Sequence, residues 1–288
     1  MAKILITGSK GQLGQCLLDM ALRFPIHDLF GYDVDRLDIL DAQAVYQTAK
    51  ETGATVLINC AAYTAVDKAE QEHGKAYAVN TYAVKGLAEV CGQLDMLLVH
   101  ISTDYVFDGA SSMPYTEEDM PNPLSVYGAS KLAGERFVLS YQRGIALRTS
   151  WLYTIGGHNF MSSMLRLGSQ EEEIRVVNDQ ISAPTYGPHL AEALLQMITQ
   201  IEAAGISAAP MGLYHFSGSD SCSRFTFAQK IKELSGFKAT ILPIASSEYP
   251  TWAKRPAYSV LDTQKISTTF GLVPPPWREG LKDYFTST

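Results

Sequence analysis

The stretch Lys3-Ile-Leu-Ile-Thr7 runs without a break into Gly8-Ser-Lys-Gly11-Gln-Leu-Gly14. A short apolar run of this kind predicts a strand, and a helix is expected to open near Gly11. A glycine-rich turn set between a strand and a helix differs from a chance run of glycines, because that context builds a phosphate site. Gly8 permits the tight turn, Gly11 lets a pyrophosphate approach the backbone, and Gly14 lets the helix pack on the strand. The helix N-terminus then offers free amides and partial positive charge to the phosphates. A dinucleotide site is the expectation.

Moving outward, short apolar runs alternate with longer amphipathic stretches through the first half, the pattern of β-α units around a parallel sheet. Strands are expected over 3–7, 29–33, 56–60, 97–102 and 145–149, with helices opening near Gly11, Ala42, Lys75 and Ser125. Over 74–93, Ala76, Val79, Ala83, Leu87 and Val90 recur at three- and four-residue steps, which gives one apolar face. The second half is less regular, with strands over 174–177 and 213–216 and helices over 188–202, 224–234 and 277–285. Ser223 is the expected cap of the 224–234 helix. The pattern predicts an α/β protein with a Rossmann-type doubly wound parallel sheet and a smaller α/β substrate domain. Residues 1–150 form the dinucleotide domain, the 186–204 helix returns to it, and 151–288 mainly form the second domain.

Asp33 lies 19 residues beyond Gly14, at the end of the second predicted strand, where an acid bonds the adenosine ribose. A carboxylate there favours NADH, whereas the nearby Arg36 would receive the extra phosphate of NADPH, so both cofactors stay open. Asp38 and Ile39 are placed to bracket the adenine, while Asp41 is read as the cap of the next helix.

Leu97-Leu-Val-His-Ile101 reads as a buried strand with Ser102-Thr-Asp104 at its carboxyl end, the edge where ligands bind in such sheets. His100, inside the strand, is read as a packed core residue. Tyr127 and Lys131 sit four apart in Val126-Tyr-Gly-Ala-Ser-Lys131, one turn apart on one helix face. A phenol held beside a cation is expected to lose its proton more easily, which suits a proton donor near neutrality. Thr103 would bond a substrate carbonyl. With the glycine turn, these groups predict a nicotinamide-dependent reductase acting on a sugar carbonyl.

Composition narrows the alternatives. The 288 residues are 46% apolar and 18% charged, and the net charge of −7 argues against a nucleic-acid surface. No apolar run approaches the roughly 20 residues of a membrane span, and Lys3–Thr7 leads straight into the glycine turn rather than into a secretory leader. The four cysteines are far apart, without metal-ligand spacing, and are read as buried thiols of a cytoplasmic protein. The six histidines show no His-x-x-x-His pair, and no metal is expected. Neither a Gly-x-Ser-x-Gly elbow nor the Gly-Lys-Ser/Thr of a P-loop is present.

The turn spacing, two residues between Gly8 and Gly11, is close to the G-x-x-G-x-x-G of extended short-chain dehydrogenases. Together, Gly8–Gly14, Asn59-Cys-Ala-Ala-Tyr-Thr64, Ser102-Thr-Asp-Tyr-Val-Phe-Asp-Gly109, Tyr127-Gly-Ala-Ser-Lys131 and Arg148-Thr-Ser-Trp151 resemble the dTDP-4-dehydrorhamnose reductase family. Asp179-Gln180 with Pro184-Thr185, and Arg255-Pro256 with Ser259-Val-Leu-Asp262, extend the resemblance over nearly the whole chain. It implies reduction of the 4-keto group of a dTDP-linked 4-keto-6-deoxy sugar by NADPH or NADH. It also implies that Tyr127 donates the proton, that Lys131 tunes it and bonds the nicotinamide ribose, and that Thr103, Asp104 and Trp151 contact the sugar. Gln12 and Leu13 join Gly11 at the pyrophosphate, Ala61, Ala62 and Tyr63 lie along the cofactor, and Val66 and Asp67 border the substrate.

Two departures from the family pattern stand out. Gln15 and Cys16 occupy the place where some members carry a glutamate for a Mg²⁺-linked dimer, so a monomer or a metal-free homodimer is expected. Ser182 replaces the usual glycine of Asp-Gln-x-Gly-x-Pro-Thr. The alternatives are another keto-sugar reductase, or a non-catalytic nucleotide-binding subunit like the regulatory subunit of methionine adenosyltransferase. Asp104-Tyr105, in place of the Asp-Glu of a dehydratase, disfavours dehydration.

Overall fold

The computed structural model describes residues 1–287. The first half runs β1 (Lys3–Thr7), α1 (Gln12–Asp19), β2 (Asp28–Tyr32), α2 (Ala42–Thr52), β3 (Val56–Asn59), α3 (Val66–Ala69), α4 (His73–Tyr77), α5 (Val84–Leu94), β4 (Leu97–Thr103), α6 (Val126–Ser140) and β5 (Gly144–Thr149). The second half runs β6 (Leu152–Tyr153), α7 (Phe160–Gln170), β7 (Glu173–Val177), β8 (Ile181–Ser182), β9 (Thr185–Tyr186), α8 (Gly187–Ala204), β10 (Gly212–His215), β11 (Cys222–Ser223), α9 (Arg224–Ser235), β12 (Thr240–Ile244), α10 (Gln264–Phe270) and α11 (Trp277–Thr286). Six strands form one parallel sheet in the order β10-β5-β4-β3-β1-β2, the doubly wound arrangement expected.

Helices cover both faces, which is why the strands read as unbroken apolar runs. Side chains alternate between the faces with period two. Ile4, Ile6, Ile58 and Val99 join Leu17 of α1 and Leu190, Leu194 and Ile198 of α8 in one core. Leu5, Leu57 and Leu98 join Val45 of α2 and Leu87 of α5 in the other. Thus α8, beyond residue 150, covers the same sheet face as α1, and β10 pairs with β5 as its edge strand. A third core, with Met161, Ile174, Phe227, Trp277 and Tyr284, belongs to the later segments.

Local signals set the helix ends. Asp41 accepts from Ala44 N–H at 2.9 Å, Ser125 caps α6 through Gly128 N–H at 3.1 Å, and Ser223 caps α9 through Thr226 N–H at 3.0 Å. The helix expected over 74–93 is not regular, because a π turn over Ala78–Ala83 separates α4 from α5. That turn buries Asn80, whose amide accepts from Tyr63 N–H at 2.8 Å and donates to Tyr63 O and Ser130 Oγ at 3.1 and 3.0 Å. The extra residue per turn re-aims a polar side chain that apolar periodicity alone does not foresee. No described helix is long and apolar enough to cross a membrane.

Candidate functional site

A cleft of about 880 Å³ opens along the carboxyl edge of the sheet. One end is the glycine turn. Gly8 has φ +67, and a Cβ there would meet Ala61 N at 2.6 Å, so both backbone conformation and space require glycine. Gly14 packs on the Gly8 carbonyl and Ser9 and does not line the cleft, whereas Gly8, Gly11, Gln12 and Leu13 do. No side chain caps the N-terminus of α1, so the turn directs uncapped helix amides into the cleft. A dinucleotide pyrophosphate fits that cradle.

Asp33 stands just past β2 and has a task the sequence does not reveal. Its Oδ2 accepts from Lys10 N–H and its Oδ1 from Val34 N–H, both at 2.8 Å, so the carboxylate braces the turn while lining the cleft. Arg36 stacks over Tyr32 with 5.1 Å from Cζ to the ring centroid. Lys10 pairs with Asp35 at 2.7 Å on an exposed edge. Asp38, Ile39, Ala61, Ala62 and Tyr63 also line this half.

At the other end β4 and α6 bring Thr103, Tyr127 and Lys131 into the same cleft. A Cβ on Gly128 would clash with the Tyr105 carbonyl, so the glycine after Tyr127 allows α6 to approach this loop. The rings of Tyr105 and Tyr127 meet edge-on at 5.8 Å. Lys131 is 2% exposed, and its Nζ donates to the Ile101 carbonyl at 2.5 Å and lies 3.2 Å from His100 Nε2. Burial pulls the ammonium down to about 8, with Glu135 and Cys60 opposing. The Tyr127 phenol does not follow the expected direction. Burial pushes it above its ordinary value, Thr103 pulls it back only in part, and Asp104 and Tyr105 push it up further. The phenol therefore holds its proton at neutrality, which suits donation rather than abstraction.

The substrate-side wall is charged and buried. Asp104, 2% exposed, accepts from Ser259 Oγ at 2.5 Å and from Thr103 Oγ1 at 3.1 Å. Burial raises its carboxyl to about 6, against the hydroxyls and Arg224. Ser182, the departure from the family pattern, donates to the Ser259 carbonyl at 3.1 Å and lies 3.4 Å from this carboxylate. Trp151 has φ +43, a strained conformation for a bulky residue, and lines the cleft with Val66. Arg224 lies with Cζ 3.7 Å from the Trp151 ring centroid.

Sequence reasoning missed Arg224 and Asn159. Arg224 follows the capping serine of a helix some 70 residues from Trp151, and nothing in its neighbourhood signals a ligand. Asn159 caps α7, and its Nδ2 donates to Gln12 Oε1 at 2.8 Å, tying the later segments to the glycine turn.

Asp67, expected at the substrate border, is not among the residues lining the cleft. Its carboxylate accepts from Arg255 at 2.6 Å and from Ala253 N–H at 3.1 Å, a brace between α3 and the C-terminal segment. Cys16 is buried against Gly187 at the start of α8, with its thiol pushed up to about 12 by burial. Glu192 is paired with Arg23 at 2.8 Å. Among the described residues no cluster of His, Cys, Asp or Glu is arranged to hold a metal.

Comparison with known proteins finds relatives that match over nearly the whole chain. The family model for the RmlD substrate binding domain matches residues 2–288. A dTDP-4-dehydrorhamnose reductase of Aggregatibacter actinomycetemcomitans is 40% identical over 98% of each chain. Among solved structures, a dTDP-4-dehydrorhamnose reductase of Clostridium acetobutylicum superposes with TM-score 0.92 at 38% identity over 99% of each chain. One from Bacillus anthracis, solved in complex with NADP, superposes with TM-score 0.91 at 39% identity, over 100% of this chain and 99% of the other.

Proposed function

This chain belongs to the dTDP-4-dehydrorhamnose reductase family, and from that premise we propose that it reduces the 4-keto group of dTDP-4-dehydro-L-rhamnose at the expense of NADPH. One observation carries the reading: Thr103, Tyr127 and Lys131 line the same cleft as the uncapped glycine turn. NADPH, when bound, supplies hydride to the carbonyl carbon. Tyr127 gives its phenolic proton to the oxygen as charge develops there. Thr103 orients the carbonyl by turning its single hydroxyl proton from Asp104 to the substrate oxygen. Lys131, anchored at Ile101 O, has its remaining donor capacity for the nicotinamide ribose. The sugar lies against Trp151, with Asp104 accepting from its hydroxyls.

The enzyme works in the cytoplasm, as a monomer or a metal-free homodimer. Initial rates of NADPH oxidation with dTDP-4-dehydrorhamnose, beside GDP- and UDP-linked keto sugars, test the proposal. Turnover of the dTDP sugar is expected. NADPH binding without turnover of any keto sugar would replace the reductase with a nucleotide-binding regulatory subunit.

A further inference from the structure

Three polar residues interrupt otherwise apolar strands at the same level of the sheet. Thr7 of β1 is the register partner of Asn59 in β3, and Asn59 is the partner of His100 in β4. All three have the strand parity of Leu5, Leu57 and Leu98, so they share the face covered by α2 and α5. Thr7, Asn59 and His100 are each 1% exposed or less. Their side chains form a continuous line that ends at Lys131 of α6. Thr7 Oγ1 donates to Asn59 Oδ1 at 2.7 Å, Asn59 Nδ2 lies 2.9 Å from His100 Nδ1, and His100 Nε2 lies 3.2 Å from Lys131 Nζ.

The direction of this line follows from one backbone group. Ala61 N–H, which only donates, reaches Asn59 Oδ1 at 3.2 Å. Asn59 therefore presents oxygen to Thr7 and Ala61 and its NH₂ to His100. The Nδ1 that accepts from that NH₂ carries no proton, so the neutral imidazole holds its proton on Nε2. An Nε2–H aimed at Nζ meets the lone pair of an amine but opposes the N–H of an ammonium. We propose that His100 is a positioning residue for Lys131, locked by Asn59 in the tautomer that points Nε2–H at Nζ and so biases the lysine toward its uncharged amine.

Burial lowers the proton affinity of Lys131 first, and the His100 contact acts on top of it. His100 is itself neutral, because burial and then Lys131 hold its basicity well below the ordinary value. Lys131 faces Glu135 one turn along α6 and Cys60 just beyond β3, whose thiol burial pushes up to about 12. Glu135 is closed by Arg148 of β5 at 2.6 and 2.9 Å and by Ser102 of β4 at 2.7 Å. Tyr127, one turn before Lys131, keeps its proton. With its proton affinity brought toward neutrality, Lys131 takes up and releases a solvent proton near neutral pH, where an ordinary lysine stays charged. The inference rests on the reductase reading for its purpose but not for its test.

Nitrogen NMR of the full chain, labelled in histidine, gives the His100 tautomer directly. Protonated Nε2 with bare Nδ1 is expected, and the reverse overturns the proposal. Carbon-labelled lysine then follows the Lys131 titration, with Lys131→Arg identifying the resonance. His100→Gln, which can present a carbonyl acceptor to Nζ, should raise the midpoint by about one pH unit or more. Asn59→Leu, which adds no charge and does not touch Lys131, should raise it in the same direction by releasing the tautomer. An unmoved midpoint in either folded variant sinks the idea. Raised midpoints in a protein that turns over no keto sugar would keep this inference and remove the reductase. Normal turnover with an unmoved midpoint would do the opposite.

Discussion

The glycine turn is built from seven consecutive residues held by backbone contacts, with Gly11 N–H on Gly8 O at 3.0 Å and Ser9 N–H on Tyr32 O at 3.0 Å. The facing wall instead gathers Asp104, Trp151, Ser182, Arg224 and Ser259 from segments far apart in the chain, and joins them through side chains. The turn meets its ligand with helix amides, groups every residue carries, so only glycine positions need specifying. The wall presents charged and hydroxyl groups in a desolvated site, so each must be supplied and neutralised by another. The first design tolerates exposure, and the second depends on burial.

The sharpest way to break this contrast is at the group between the halves. Tyr127→Phe should retain NADPH affinity and fold while losing about 10²–10⁴ in turnover, the usual worth of a positioned acid. Parallel loss of NADPH binding would mean that the two ends are not separable. Next is the brace behind the wall, where Arg148 grips Glu135 with both side chains 2% exposed. Arg148→Met leaves a buried carboxylate uncompensated and should lower unfolding stability by about 3–5 kcal/mol, read by denaturant melts. A loss under about 1 kcal/mol would show that the wall relaxes as readily as a surface loop.

Asp104→Asn sharpens the comparison through pH. The folded carboxyl titrates at about 6, above its ordinary 3.8, so the native state binds this proton more tightly than the unfolded chain does. Its contribution to stability is full below about pH 4 and is lost as pH rises through about 6. The asparagine variant should therefore match the wild type near pH 4 and be more stable at pH 8, by about 1–3 kcal/mol. Equal stabilities at both pH values would mean that Ser259, Thr103 and Arg224 fully compensate the charge. The smallest effect belongs to the turn. Asp33→Ala removes an acceptor from Lys10 N–H and the carboxylate that favours NADH, and should weaken NADH binding relative to NADPH by about 1 kcal/mol, with sugar KM unchanged. A shift of sugar KM instead would show that the turn is coupled to the wall, through Asn159 and Gln12.

What was legible follows the same division. Gly8, Gly11 and Gly14, and the Tyr127–Lys131 step, lie within single β-α units, where spacing alone decides which groups share a turn or a helix face. Asp67 shows the limit, since the family resemblance put it at the substrate border while its carboxylate is taken up by Arg255 nearly 190 residues on. His100 shows another, because a histidine inside an apolar strand looks like core until Asn59 and Lys131 are seen on either side of it.

Sequence by itself determined the parallel sheet, the glycine turn and the placing of Tyr127 and Lys131 on one helix face, because strand periodicity, glycine spacing and i, i+4 geometry are properties of contiguous chain. Only the tertiary structure decided the raised proton affinity of the Tyr127 phenol, the raised carboxyl of Asp104, the stacking of Arg224 on Trp151 and the line of hydrogen bonds reaching Lys131. Those depend on how much water is excluded around each group and on which distant partner faces it, and neither quantity is local in the chain.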